Sequence, residues 1–185
     1  MMRLVAPLLL AASLAACEEA TPPASAPPAP APPAELAAQR SLDAMDQRRP
    51  VPLLPVMAHH QKENMRDHLA AVEEIVAALA SDDFAGVERA AARIGSSPGM
   101  SQMCTHMGAG APGFTEQALG FHRAADRILE AARERNRARV LTELGATLTT
   151  CTACHAAWKQ QVVDEAGWQK ATASAPPQPG ARHAP

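Results

Sequence analysis

The chain has 185 residues, of which 47% are hydrophobic and only 3% are aromatic, and it contains no Tyr. So few large rings argue against an all-β sandwich and against an aromatic platform for nucleic acid, and they favour an all-helical domain. Lys and Arg total 17 against 19 Asp and Glu, which leaves a formal net charge of −2. This balance provides no broad positive surface for a polyanion, so we expect one helical domain and no nucleic-acid partner.

Residues 1–16 have the layout of a secretory signal peptide. Arg3 precedes an apolar run that is too short to span a bilayer, and a Cys follows that run. Residues 14–17, Leu-Ala-Ala-Cys, resemble the lipobox of bacterial lipoproteins. The resemblance implies that Cys17 becomes a lipidated N-terminus on the periplasmic side of a bacterial membrane, with Glu18 slightly favouring the outer membrane. The alternative is an ordinary signal peptide that is cut nearby.

Proline-rich segments flank the expected domain on both sides. We assign residues 17–46 to a lipid-anchored tether, because the part up to about Ala34 is rich in Pro and Ala, cannot bury a core and stays extended. Residues 171–185 repeat this composition and are expected to be disordered. The folded domain is therefore expected over residues 47–170, a length that buries about two-thirds of its unfolded surface.

Two helices are expected in the first half of this domain. The first spans Pro55–Ala80, where apolar residues three and four apart form one stripe that we predict to face the core. The members of this stripe are Met65, Leu69, Val72, Val76 and Leu79. Side chains at positions 81–83 can cap a second helix that runs to about Ile94, where Gly95 can adopt the left-handed stop conformation.

Two further helices are expected in the second half. Thr115 can cap a third helix, whose inner face carries Ala118, Phe121, His122, Ala125, Ile128, Leu129 and Ala132. Asn136 can cap a fourth helix, which we predict to continue to Gly167. Its apolar seam repeats as a heptad through Leu141, Leu144, Leu148, Cys151, His155, Trp158 and Val162. Four helices with mostly short connections and no competing strand pattern predict an all-α fold, an antiparallel four-helix bundle.

The strongest motif lies in the fourth helix, where residues 151–155 are Cys-Thr-Ala-Cys-His. This C-x-x-C-H pattern is the attachment motif of c-type haem, in which two thiols add to the haem vinyl groups and the adjacent His binds the iron. On a helix the three side chains share one face, here the apolar seam, where exclusion of water tunes the potential of the iron. Export of the chain agrees with this, because covalent haem attachment in bacteria takes place outside the cytoplasm.

Three other uses of these thiols stay open. A thioredoxin-type motif requires a βαβ context that the sequence lacks, and a disulfide between Cys151 and Cys154 is cramped within a helix. A zinc site would need further ligands such as Cys104 and His106. Haem attachment is the use that the motif favours.

A four-helix bundle with C-x-x-C-H near the end of its last helix resembles the class II c-type cytochromes, the cytochrome c prime family. The resemblance covers about residues 57–163, and its specificity comes from the motif and the position of the motif. It implies that Cys151 and Cys154 hold one covalent haem c and that His155 is the proximal iron ligand. It also implies that Lys159 lies near the ring or its propionates.

The sixth coordination position of the iron separates two groups within that family. Low-spin members place a Met from the first helix on the iron and transfer electrons, whereas five-coordinate members leave the position open and bind small gases. Met65 lies within the apolar stripe, so we predict that it points into the core and is the distal ligand. His60 and His68, about 140° and 60° away around the helix, are the alternatives. His122 is expected to be a hydrogen-bonded core residue.

The segment from Gly95 to Phe114 is expected to be a long loop, because it is rich in Gly and lacks helical periodicity. Its soft and imidazole side chains, which would suit Cu(I) in a second metal site, are Met100, Met103, Cys104, His106 and Met107. The alternative, which we prefer, is a compact loop whose Met side chains pack over the end of the bundle or the haem edge. In that case Cys104 is a buried thiol, or pairs between chains.

These observations predict a lipid-anchored periplasmic cytochrome that carries one electron at a time and is not an enzyme. Its partners would be redox proteins, and it would touch the membrane only through the lipid. Homodimers are also expected, because members of the family often pair through their first helices. Two rival functions are a five-coordinate haem protein that binds NO or CO, and a haem-free Cu or Zn module built on the Met, Cys and His loop.

Overall fold

The computed structural model of this chain describes residues 33–174, which fold mostly into helices. The seven helices of these residues are α1 (Pro33–Met45), α2 (Pro55–Ala80), α3 (Phe84–Ile94), α4 (Pro98–Met107), α5 (Phe114–Arg133), α6 (Arg137–Ala157) and α7 (Glu165–Thr172). Two short strands, β1 (Arg49–Leu53) and β2 (Trp158–Val162), form a parallel pair. The prediction of a mostly helical fold is confirmed. The expectation that the domain has no strands, which followed from the lack of a strand pattern in the sequence, is wrong.

Helix α1 lies in a compact unit that ends at Met45, and the residues from Asp46 onward form a second unit. From the sequence we assign residues 33–45 to the tether, but they form a helix. After Pro33, which suits a first helical position, the repeated Pro gives way to Ala, Leu and Gln, which favour helices. The expected signal peptide, Cys17 and residues 18–32 of the expected tether lie outside the described residues, as does the expected tail beyond residue 174.

The larger of two core clusters in the second unit consists mostly of aliphatic side chains from four helices. Helix α3 packs against α2 and α5, and α5 packs against α6. One fully buried side chain from each of these helices illustrates this core: Ile75, Val87, Ile128 and Val140. Each contributes about 1.5–3 kcal/mol to folding by removing its apolar surface from water.

Helix α2 has the predicted bounds, but the prediction of its inner face is wrong over most of its length. Leu69 is 70% exposed and Met65 is 37% exposed, whereas Ala71 and Ile75 are buried. The core lies on the side of Ala71 and Ile75, whereas Met65 and Leu69 border a cavity and Val76 is exposed. Val72 borders the cavity and also packs against the core. Leu79, at the end of the stripe, is buried as predicted.

The segment after α3 is more helical than expected. Asp83 caps α3 as predicted, accepting a hydrogen bond from the Gly86 amide at 2.9 Å, but Gly95 is extended with φ of −72° and is not left-handed. The expected loop contains α4, which begins at a Ser97 cap followed by Pro98. This pair is a recognised helix start, which the Gly-rich and Met-rich composition of the segment obscured.

Helix α5 begins one residue after Gly113, and the predicted cap Thr115 lies inside the helix. Gly113 has φ of +89°, a conformation that residues with a Cβ rarely adopt. The start of α5 therefore depends on glycine and not on a side-chain cap. Helix α6, in contrast, begins at the predicted cap, because the side chain of Asn136 accepts a hydrogen bond from the Arg139 amide at 3.0 Å.

Two glycine substitutions should change the stability of the protein in opposite directions. Gly113→Ala is expected to lower the free energy of unfolding by about 1 kcal/mol, because its positive φ strains an L-residue. Gly145 lies within α6 with open space where a Cβ would be, so Gly145→Ala should raise that free energy by up to about 1 kcal/mol. Denaturant titration measures both effects, and effects of the same sign would contradict this prediction.

Helix α6 ends at Ala157, well before the predicted end at Gly167, which lies within α7. The chain leaves the helix at Trp158, whose ring packs edge-on against Phe114 with 5.6 Å between ring centroids. The Nε1 of Trp158 donates to Oε1 of Gln117 at 2.8 Å. These contacts with α5 override the heptad pattern and direct the following residues along β1.

Candidate functional site

A cavity of about 760 Å³ opens among α2, α4, α5, the end of α6 and the strands. Sites for small molecules and cofactors commonly have volumes of about 300–1,000 Å³. The walls are mostly apolar and include Leu69, Val72, Phe121, Leu148 and Trp158. Leu69 and Val72 of the predicted core stripe therefore face a space that is large enough for a ligand.

All three motif residues line this cavity from the last turns of α6. Cys151 and Cys154 are half-buried free thiols, and His155 is exposed. Burial raises the pKa of both thiols, so they are protonated at neutral pH. The structure thus brings two thiols and one imidazole together on one wall of one cavity.

Two of the three candidate distal ligands also line the cavity. Met65 and His68 lie in its α2 wall, whereas His60 is exposed outside the wall, with Nδ1 3.8 Å from a carboxylate oxygen of Glu63. The ring of His68 stacks on Phe121 with centroids 4.5 Å apart, and burial lowers the pKa of His68 to about 4. His68 is therefore a neutral imidazole at pH 7, the form that binds metals.

His122 is a buried, hydrogen-bonded residue of α5, as predicted. It is 3% exposed, its Nδ1 lies 2.8 Å from the carbonyl oxygen of Ile94, and its Nε2 lies 3.6 Å from Sγ of Cys104. Because a carbonyl only accepts, Nδ1 carries the proton and the Cys104 thiol donates to Nε2. Burial raises the pKa of Cys104 to about 11, so this thiol stays protonated.

The buried His122 should make the stability of the protein depend on pH. Burial lowers the pKa of His122 below its ordinary value of 6.5. Below pH 6.5 the unfolded chain therefore binds a proton at this residue more readily than the folded protein does, and the free energy of unfolding falls as the pH is lowered. We expect His122→Asn, whose amide can replace Nδ1, to lose less unfolding free energy than the wild type between about pH 7 and about pH 5. Denaturant titrations at several pH values measure this difference, and identical slopes would contradict it.

The sulfur-containing side chains of α4 face the same cavity. Those that line it are Met100, Met103, Cys104 and Met107. The Nδ2 of Asn64 on α2 donates to Sδ of Met103 at 3.3 Å, whereas His106 lies outside the wall and packs edge-on against Trp168 at 5.6 Å. Within residues 33–174, no three His, Cys, Asp or Glu side chains are grouped so that they could hold a metal ion. The structure thus separates His106 from the sulfur atoms that we grouped with it.

Among the described residues, four cations and no carboxylate line the cavity. These cations are Arg48, Lys62, Arg66 and Lys159. Lys159 follows the motif as expected, but it lies on β2, and its Nζ donates to the backbone carbonyl of Asp46 at 2.6 Å. Sequence reasoning missed the other three, because two lie on α2 among exposed charges of both signs and Arg48 precedes a strand that was not predicted. An apolar space with a cationic edge fits a hydrophobic ligand that carries anionic groups.

No helix in the described part of the chain is long and apolar enough to cross a membrane. Comparison of the chain with protein-family models, with curated proteins and with solved structures finds no match.

Proposed function

We propose that the chain is a c-type cytochrome of the class II kind, which carries single electrons through one covalent haem c. The observation that carries this proposal is that Cys151, Cys154 and His155 line one large apolar cavity from the end of one helix. We further propose that α2, α3, α5 and α6 are the four helices of an antiparallel bundle, with the haem near the C-terminal end of α6.

The cavity fits a haem in its apolar walls and in its charge. A haem presents a flat apolar ring and two propionates, and the cavity offers apolar walls, four cations and, among the described residues, no carboxylate. Cys151 and Cys154 would form the thioethers, and His155 would bind the iron. When bound, the haem supplies a one-electron couple, whose potential depends on the axial ligands and on the exclusion of water.

The surrounding residues have separate roles in this proposal. Leu148 and Trp158 exclude water from the motif, the cations Lys62, Arg66 and Lys159 bind the propionates, and α2 supplies the distal ligand. In the cell, a lipid on Cys17 holds the protein at the periplasmic side of the membrane. The protein exchanges electrons with redox partner proteins, pairs as a homodimer, and converts no substrate of its own.

The test is the absorption spectrum of protein matured with a bacterial haem-attachment system, recorded oxidised and reduced, with and without carbon monoxide. Three results together support the electron carrier: a low-spin spectrum of the folded protein, haem that stays with the polypeptide after denaturation, and slow or no binding of carbon monoxide. A high-spin spectrum that carbon monoxide changes at once would contradict the electron carrier and support a gas-binding haem protein. A chain without haem but with bound copper or zinc would support the metal module instead.

Met65→Ala is expected to convert a low-spin oxidised spectrum into a high-spin one, because removal of the thioether opens the sixth position of the iron. The matched control is His68→Ala, which removes the other candidate ligand from the same wall and should leave the spectrum low-spin. A low-spin spectrum that survives Met65→Ala and is lost in His68→Ala would assign the distal position to His68.

A further inference from the structure

The residues that precede β1 lie against the end of helix α6. The Nη1 of Arg48 donates to the carbonyl oxygens of His155 at 3.1 Å and of Trp158 at 3.3 Å. The Nε and Nη2 of Arg48 donate to the two carboxylate oxygens of Asp46 at 2.9 and 2.7 Å. The Nζ of Lys159 completes the group by donating to the Asp46 carbonyl at 2.6 Å. Asp46 and Arg48 thus hold a turn that lies 107 residues further along the chain.

These contacts use most of the guanidinium group of Arg48. Of its five N–H bonds, those on Nε and one on Nη2 point to Asp46, and Nη1 serves the two carbonyls. The hydrogen bond from Arg48 is the main reason that the pKa of Asp46 is lowered to about 2, so Asp46 stays ionised. The carboxylate therefore holds the guanidinium on one side, and its other side faces the end of α6.

The carbonyl of His155 needs such a donor because of its place in the helix. The last four carbonyls of an α-helix have no partner within the helix, and a cation near them is favoured by the helix dipole. The amide of Trp158 satisfies the carbonyl of Cys154. Arg48 supplies the donor for the next carbonyl, that of His155, which lines the cavity.

The pair of strands also fixes the turn at the end of α6. Arg49 lies opposite Trp158 in the parallel register, and its guanidinium carbon is 3.7 Å from the centre of the Trp158 ring. Two residues later, Nε2 of Gln160 donates to Oε1 of Gln61 on α2 at 2.6 Å. The turn that carries His155 is therefore fixed against both β1 and the wall that holds the candidate distal ligands.

We propose that Arg48 is a positioning residue for His155. The guanidinium of Arg48 fixes the last turn of α6 and so sets the orientation in which the imidazole of His155 meets the iron. The statement about the iron rests on the proposed function, whereas the hold on the turn does not. In many metal sites a hydrogen bond to the second ring nitrogen orients the ligating His. Here the orientation is imposed through the backbone of the ligand residue.

The test compares Arg48→Ala and Arg48→Lys with Arg93→Ala, a control that removes an arginine bound to the carboxylate of Glu74 outside the cavity wall. Amide hydrogen exchange of residues 156–158 is measured in each protein. Hydrogen bonds from a charged donor are stronger than those between neutral groups, so we expect Arg48→Ala to accelerate this exchange by about tenfold. The control should not change it. Arg48→Lys keeps the charge but not the planar fork, so it should restore only part of the protection.

The second readout is the set of hyperfine-shifted haem methyl resonances of the oxidised holoprotein, which depend on the orientation of the axial imidazole. We expect these shifts to change in Arg48→Ala at unchanged haem content, and to change less in Asp46→Asn, which loosens the guanidinium without removing it. Unchanged exchange and unchanged shifts would overturn the proposal, and full rescue by Arg48→Lys would reduce the role of Arg48 to its charge. A wild-type chain without haem would overturn the proposed function alone, because the exchange result still tests the hold on the turn.

Discussion

Replacement of both Cys151 and Cys154 by Ser is expected to abolish the covalent attachment of haem. Attachment requires sulfur nucleophiles, and a Ser hydroxyl cannot replace a thiol in forming the thioether. The two thiols share the cavity wall with His155, so their loss would remove the link without removing the proposed axial ligand. After maturation and denaturation, haem staining and mass spectrometry should find one haem on each wild-type chain and none on the double variant.

Cys104→Ser is the matched control for this experiment, because Cys104 is also a free thiol that lines the cavity. A Ser hydroxyl can donate to Nε2 of His122 in place of the thiol, so we expect the haem content of the wild type. Single variants at Cys151 or Cys154 should keep the haem through one thioether, in lower yield. Haem that is lost in Cys104→Ser but kept in the double variant would contradict the assignment.

Leu144→Ala is expected to lower the free energy of unfolding by about 3 kcal/mol. Leu144 is 5% exposed and belongs to the core between α2, α3, α5 and α6, so its truncation removes buried apolar surface and leaves a cavity. Denaturant titration at constant pH measures the loss as a lower midpoint with an unchanged slope.

Leu141→Ala makes the same chemical change about one turn earlier in α6, where the side chain is 53% exposed. We expect this variant to change the free energy of unfolding by no more than about 0.5 kcal/mol. The heptad seam in the sequence places both Leu residues inside. Equal losses in the two variants would therefore support the seam and contradict the observed burial.

The features that depend on neighbouring residues could be predicted from the sequence. The bounds of α2, the cap of α3 at Asp83 and the cap of α6 at Asn136 follow from local patterns, and the structure agrees with each. The C-x-x-C-H motif is local in the same sense. A helical face brings its three residues together whatever the rest of the chain does.

The features that depend on distant partners could not be predicted. Residue spacing shows that Met65 and Leu69 share a face, but not whether a helix or a cavity lies beside that face. The end of α6 depends on the contacts of Trp158 with α5, which override helical periodicity. Arg48 carried no local signal, because the carbonyls that it binds lie more than a hundred residues away.

We expect the parallel pairing of β1 with β2 to be a late event in folding. The two strands immediately precede α2 and follow α6, and joining such distant segments costs loop-closure entropy that nearby helical contacts do not. As the chain emerges from its N-terminus, the residues of α2 to α5 are available before β2, which is the partner of β1. We therefore expect the C-x-x-C-H turn to remain accessible until the strands pair, so that, under the proposed function, haem attachment would precede the fixing of the turn by β1.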